Sequence, residues 1–208
     1  MSLNLIKYTR LLKKKAIEYE QKDINGKTSV GLIEKHARKL ISFFVSIILI
    51  FLLKKGFTEI FISYVSTILS IFIGLFITAL IFSFDKFYVK EDLTKASSQA
   101  KVMDTQSFNF SKQFSFLTGY NILLSISTLV LLSLNTLFPE ISSINIFEYA
   151  INIENIKGQE IVNFIQILIV YSQRFLVLYW LTSIIYLTVF IISSMVNYMS
   201  LKIDKIGK

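Results

Sequence analysis

The sequence predicts an all-α membrane protein with four transmembrane helices and both termini in the cytoplasm, and three observations carry that prediction. The first is the run from Ile60 to Phe84, whose 25 residues (84 − 60 + 1) hold no charge and no proline. At about 1.5 Å per residue, a helix of that length covers a hydrocarbon layer roughly 30 Å thick with some tilt. The second is composition: 53% hydrophobic residues and a mean hydropathy of +0.60, with 19 Phe and 10 Tyr among 208 residues, suit a surface that faces lipid. The third is charge. The net +8 is gathered at a few places along the chain, and those places mark which side is inside.

Residues 1–39 read as a basic tail. Leu5, Tyr8, Leu12, Ala16 and Tyr19 share one face of a helix and Lys7, Arg10 and Lys14 lie opposite, with Leu3 and Ile17 interrupting the polar side. Such a helix lies on an anionic leaflet, where each Lys or Arg contributes about 1 kcal/mol, or packs on its own bundle or on a partner. Lys13, Lys14 and Lys15 are the residues expected to dock a partner or lipid headgroups. No apolar run near the N-terminus has the form of a cleavable signal peptide, so the spans themselves are expected to direct membrane targeting. Asn25-Gly26 predicts a turn, and a second helical segment from Val30 leads into the membrane.

The membrane domain covers residues 40–201, with spans at about 38–55, 60–84, 113–138 and 175–201. The first is short: Leu40 to Leu53 gives 14 uncharged residues (53 − 40 + 1). Arg38, Lys39, Lys54 and Lys55 are expected to reach the headgroups along their aliphatic stems; a buried or half-inserted helix is the alternative. In the second span Ser66, Ser70, Gly74 and Thr78 recur every four residues, forming a small-residue face for packing within the bundle or between subunits. Residues 85–112 read as a solvated, mixed-charge loop. The third span ends at Pro139, the chain's one proline. Residues 139–174 read as an outer segment that lies on the membrane or caps the bundle, followed by a helix continuing into the fourth span. That span carries Tyr179 and Trp180 at one interface and Tyr198 at the other. Its polar stripe, Tyr179, Ser183, Tyr186, Ser193 and Asn197, serves interhelical hydrogen bonds or lines a wet pore in an oligomer. Arg174, at the outer mouth of the stripe, is expected among headgroups. Residues 202–208 form a basic tail.

Lys and Arg number 10 in residues 1–39, 5 in 85–112 and 3 in 202–208, giving 18, against 2 in the first connection and 2 in 139–174. The positive-inside rule therefore puts both termini and the central loop in the cytoplasm. With 9 acidic residues inside and 5 outside, the two faces carry +9 (18 − 9) and −1 (4 − 5). A soluble partner recruited by charge would be acidic and cytoplasmic, with lipid headgroups the competing explanation.

Catalytic patterns are missing from the sequence. There is no Cys, His36 is the single histidine, and no phosphate-binding glycine loop or nucleophile elbow occurs. The expectation is no enzyme, no cofactor, no metal and no direct contact with nucleic acid. With no Asp, Glu, Lys, Arg or His inside the three longer expected spans, an ion-driven pump is also disfavoured.

The runs HARKLISFFVSIILIFLLKKGF (36–57) and ISYVSTILSIFIGLFITALIFSFDKFYV (62–89), set in a four-span plan with a basic cytoplasmic tail, resemble the KwaA family, the membrane subunits of the Kiwa anti-phage defence system. The resemblance implies a homo-oligomeric inner-membrane component, with a tetramer as the suggested state. It also implies that the component senses infection and holds a cytoplasmic DNA-binding partner, KwaB. The function expected is that of a non-enzymatic sensor and anchor; the alternative is a pore-forming effector that depolarises the cell.

Overall fold

The first helix begins at an N-cap: the Asn4 carboxamide oxygen accepts a hydrogen bond from the Lys7 amide at 3.1 Å, satisfying one of the donors that a helix start leaves open. In the computed structural model, which describes residues 4–23, 25–28, 31–53, 56–87, 98–139 and 158–206, those residues form five helices and no strand. They are α1 (Leu5–Glu20), α2 (Leu32–Leu52), α3 (Glu59–Phe87), α4 (Ser98–Leu137) and α5 (Gly158–Ile206). Residues 140–157 of the expected outer segment, residues 88–97 of the central loop, Leu3, Val30, Lys54 and Lys55 lie outside the described residues.

Local chemistry sets the helix ends. After α1 the chain turns at Asn25-Gly26, as the sequence predicts: Asp23 accepts from the Gly26 amide through its carbonyl and from the Lys27 amide through its carboxylate, and Gly26 takes φ 79°. Gly56, with φ 84°, turns the chain after α2. The Thr58 hydroxyl then accepts from the Phe61 amide to cap α3.

Among the described residues, three helices are long and apolar enough to cross a membrane, over Glu59–Ser83, Asp104–Leu137 and Val162–Ser200. Two element boundaries differ from expectation. Helix α4 begins at Ser98, inside what reads as a loop, because 98–112 holds neither Gly nor Pro and Phe110 is buried against the Tyr198 ring at 4.3 Å. Its charges signal solvent, which a helix tolerates as well as a loop does. Helix α5 begins at Gly158 and continues through Arg174 into the fourth expected span, as the sequence reading expects of 161–173; the difference is that it ends at Ile206, within the C-terminal tail.

The chain divides into two units. Met1–Ala37, Phe72–Leu123 and Ile185–Lys208 make one; Arg38–Ile71 and Leu124–Ile184 make the other. In both, an apolar core also takes in polar side chains, while large apolar ones lie on the surface. Ser42, Ser46, Thr118, Asn121, Ser125 and Thr128 are all fully buried, while Ile60, Leu75 and Phe82 are well over half exposed. Water would drive the opposite arrangement. A hydrocarbon solvent drives this one, because polar groups then find partners only inside the protein.

Candidate functional site: a buried polar seam and a strapped basic helix

In the second unit, Arg38, Ser42 and Ser46 follow one another at four-residue spacing on α2 and all three are buried. The Ser42 and Ser183 hydroxyls share a hydrogen bond of 2.9 Å, tying α2 to α5, and Phe43 meets Phe175 edge to face at 5.8 Å. Arg38 therefore does not reach out to headgroups as expected: the face it shares with the two serines turns inward. Lys39, one residue on, is exposed.

Arg174 departs furthest from expectation. It is the largest fully buried side chain, 2% exposed, and its guanidinium stands 5.1 Å from the centre of the Tyr171 ring. Its neighbour Gln173 donates to the Leu131 carbonyl at 2.8 Å, which sets α5 in register against α4. Leu131 precedes Phe138, the last residue of α4's uncharged run, by seven residues (138 − 131), or about 10 Å of helix. Arg174 is thus buried within the protein instead of extended outward, and the candidate span Val162–Ser200 contains it. Asn135, also buried, donates to the Leu131 and Leu132 carbonyls.

In the first unit Gln113 is a hub. Its amide nitrogen donates to the Tyr19 and Lys22 carbonyls, each at 3.0 Å, and its amide oxygen accepts from the Ser194 hydroxyl at 3.2 Å. One side chain thereby satisfies carbonyls at the end of α1 and links α4 to α5. Tyr19 stacks on Phe116 at 5.3 Å, and a Cβ placed on Gly119 would stand 3.4 Å from Leu12 Cδ1. The face of α1 holding Leu12, Ala16 and Tyr19 is therefore spent on α4. Further along, Asn121 donates to the Thr188 hydroxyl at 3.0 Å, and Ser107 bonds the Tyr198 hydroxyl.

The sequence-predicted residues fall in different settings. Lys13 and Lys14 are exposed, whereas Lys15 is half-buried and bonded to Glu18 at 2.9 Å. Glu18 also accepts from Lys22 at 2.7 Å; hydrogen bonds from Lys22 and Lys15 hold its carboxyl down at about 2, while Glu18 raises the Lys15 ammonium. On α3, Ser66 is half-buried, Ser70, Gly74 and Thr78 are exposed, and nothing lies within 4 Å of a Cβ built on Gly74. The Ser70 and Thr78 hydroxyls bond back to the Ser66 and Gly74 carbonyls of their own helix. Of the α5 stripe, Ser183 is buried, Tyr179 and Tyr186 are half-buried, and Ser193 and Asn197 are exposed.

Sequence reading passed over the polar seam of α4. Thr118, Asn121, Ser125, Thr128 and Asn135 are separated by three, four or seven residues, a one-faced spacing inside an apolar run, and that spacing was the available signal. No family model, curated protein or solved structure matches the chain.

Proposed function

We propose that this is a four-span protein of the bacterial inner membrane, with α2 as the fourth crossing and both termini cytoplasmic. In this reading it acts without enzymatic chemistry, as the sensor and anchor subunit of an anti-phage defence complex. It assembles with copies of itself and holds a cytoplasmic DNA-binding partner. This distribution of polarity carries the membrane part: buried Ser42 and Ser46 face inward on α2 while Phe44, Ile48, Phe51 and Leu52 lie exposed, as a lipid-facing helix requires. The 18 to 4 distribution of Lys and Arg supports the orientation. The resemblance in plan to the KwaA family supports the defence role.

A pore is the second reading, favoured by the exposure of Ser193 and Asn197 on α5. Expression alone separates the two: an ungated pore is toxic, and an anchor is tolerated. The anchor reading is tested by looking for a cytoplasmic protein encoded beside this chain that co-purifies with it, and by a phage-protection assay. Loss of protection without toxicity on deleting the chain supports it, and growth arrest on expression overturns it.

A further inference from the structure

The helix α1 has a second face that packing leaves open. Leu12, Ala16 and Tyr19 are turned to α4, but Ile6 is 72% exposed, Leu11 is 49% exposed, and Lys7, Arg10 and Lys14 stand between and beside them around a shallow groove. From Asn4 to Lys15 the chain carries five cations, Lys7, Arg10, Lys13, Lys14 and Lys15, and no acid. The nearest carboxylate beyond them, Glu18, is already bonded to Lys15 and Lys22.

The other face fixes how α1 is held. Gln113 bonds its C-terminal end, and Leu12 lies against Gly119, six residues (119 − 113) further along α4. Between the Leu12 and Tyr19 contacts α1 advances seven residues (19 − 12) while α4 recedes three (119 − 116), from Gly119 to Phe116. With equal rise per residue, the two axes cross obliquely.

We infer that the open face of α1 is a docking surface for anionic lipid, with Lys7, Arg10 and Lys14 at its centre meeting the phosphates and Ile6 and Leu11 flanking them within the headgroup layer. The amphipathic pattern leaves lipid or protein as the cover of the Leu5, Tyr8, Leu12, Ala16 and Tyr19 face; α4 covers Leu12, Ala16 and Tyr19, Leu5 and Tyr8 stay exposed, and the lipid takes the opposite face. A bilayer fits better than a soluble acidic partner because the exposed cations are interspersed with large exposed aliphatic side chains, in a chain whose described residues include three helices apolar enough to span a membrane. The inference depends on insertion of α4 alone and is independent of the fourth span and of any cytoplasmic partner.

The chain contains no Cys, so Ile6→Cys supplies a unique site for an environment-sensitive fluorophore in the full-length protein. The labelled protein is reconstituted into vesicles of zwitterionic lipid with and without phosphatidylglycerol, and exposure to an aqueous quencher is measured. The label is expected to be protected only in the anionic vesicles, and protection is expected to vanish in molar salt. Lys7→Gln, Arg10→Gln and Lys14→Gln together should lower the docking constant on the order of a hundred-fold, about five-fold for each charge. The salt arm uses the unsubstituted cations, so the outcome stands even where the triple variant folds poorly. Equal protection in both vesicle types, or protection that survives salt, overturns the inference. Protection conferred by duplex DNA or an acidic peptide, but not by phosphatidylglycerol, also overturns it and assigns the face to a macromolecule.

Discussion

Arg174 shows what a single residue can do in this environment. A guanidinium buried within the protein is retained by its contacts, here the Tyr171 ring and the close fit of α5 against α4 at Leu131. Volume and charge make separable contributions. Arg174→Met keeps most of the volume and loses the ring contact, so it should cost about 1–2 kcal/mol. Arg174→Ala also opens a cavity and should cost about 2–5 kcal/mol. Thermal unfolding in detergent ranks the two variants, and equal losses would show that the charge outweighs the packing. The burial of Arg174 was hard to read because a charge beside an apolar run looks like the run's end. The signal that it lies inside was the uncharged sequence on both sides, 161–173 and 175–201. Glu18 offers a surface counterpart. Its carboxyl titrates near 2 because Lys22 and Lys15 bond its ionised form, so the ion pairs hold above the ordinary carboxylate value of 4.5 and are lost as pH falls through about 2. A side-chain carboxyl NMR titration should give that low midpoint and show it rising with added salt, because the pairs are partly exposed. A midpoint near 4.5 would remove the pairs from the picture.

At the scale of elements, glycine separates turns from spans. Gly26 and Gly56 sit at positive φ, and replacing either by Ala forces a left-handed conformation on a residue with a Cβ, at about 1–2 kcal/mol. Gly74 has open space around it, so Gly74→Leu should leave the unfolding temperature of the single chain nearly unchanged. A smaller oligomer in detergent from Gly74→Leu, with Leu75→Ala as the control, would then report a neighbouring copy at that face rather than a damaged fold. Helix α3 is well suited to such a test, since only 11% of its span is buried within the chain, against 50% for α4. The long spans were legible because an uninterrupted apolar run leaves a helix no other use in water. Contacts between helices were less so. The α1 pattern shows an apolar face without saying whether lipid or protein covers it, and the side chain that decides the matter, Gln113, lies far away in sequence.

For the whole molecule, the open question of topology is whether α2 crosses the membrane, and charge and geometry bear on it separately. Among the described residues, three helices have the length and apolarity to cross without help. If α2 stays on one side, those three crossings put Met1 and Lys208 on opposite faces; if α2 crosses, the two termini share a face. The bond between Ser42 and Ser183 places part of α2 beside α5 in the second unit, and Phe44, Ile48 and Phe51 on its other side find an apolar environment only in lipid. The ten Lys and Arg of residues 1–39 and the three of 202–208 also favour a common, cytoplasmic face. Reporter fusions at Met1, at Lys208 and in the 88–97 region should therefore all behave as cytoplasmic, and one near Asn155 as external. Adding Lys beside Phe57, in the short connection between α2 and α3, should weaken this orientation, because the bias acts through short loops next to span ends. Termini on opposite faces would sink the four-span reading and leave α2 as a buried or surface helix, while the α1 lipid face, which depends on α4 alone, would stand.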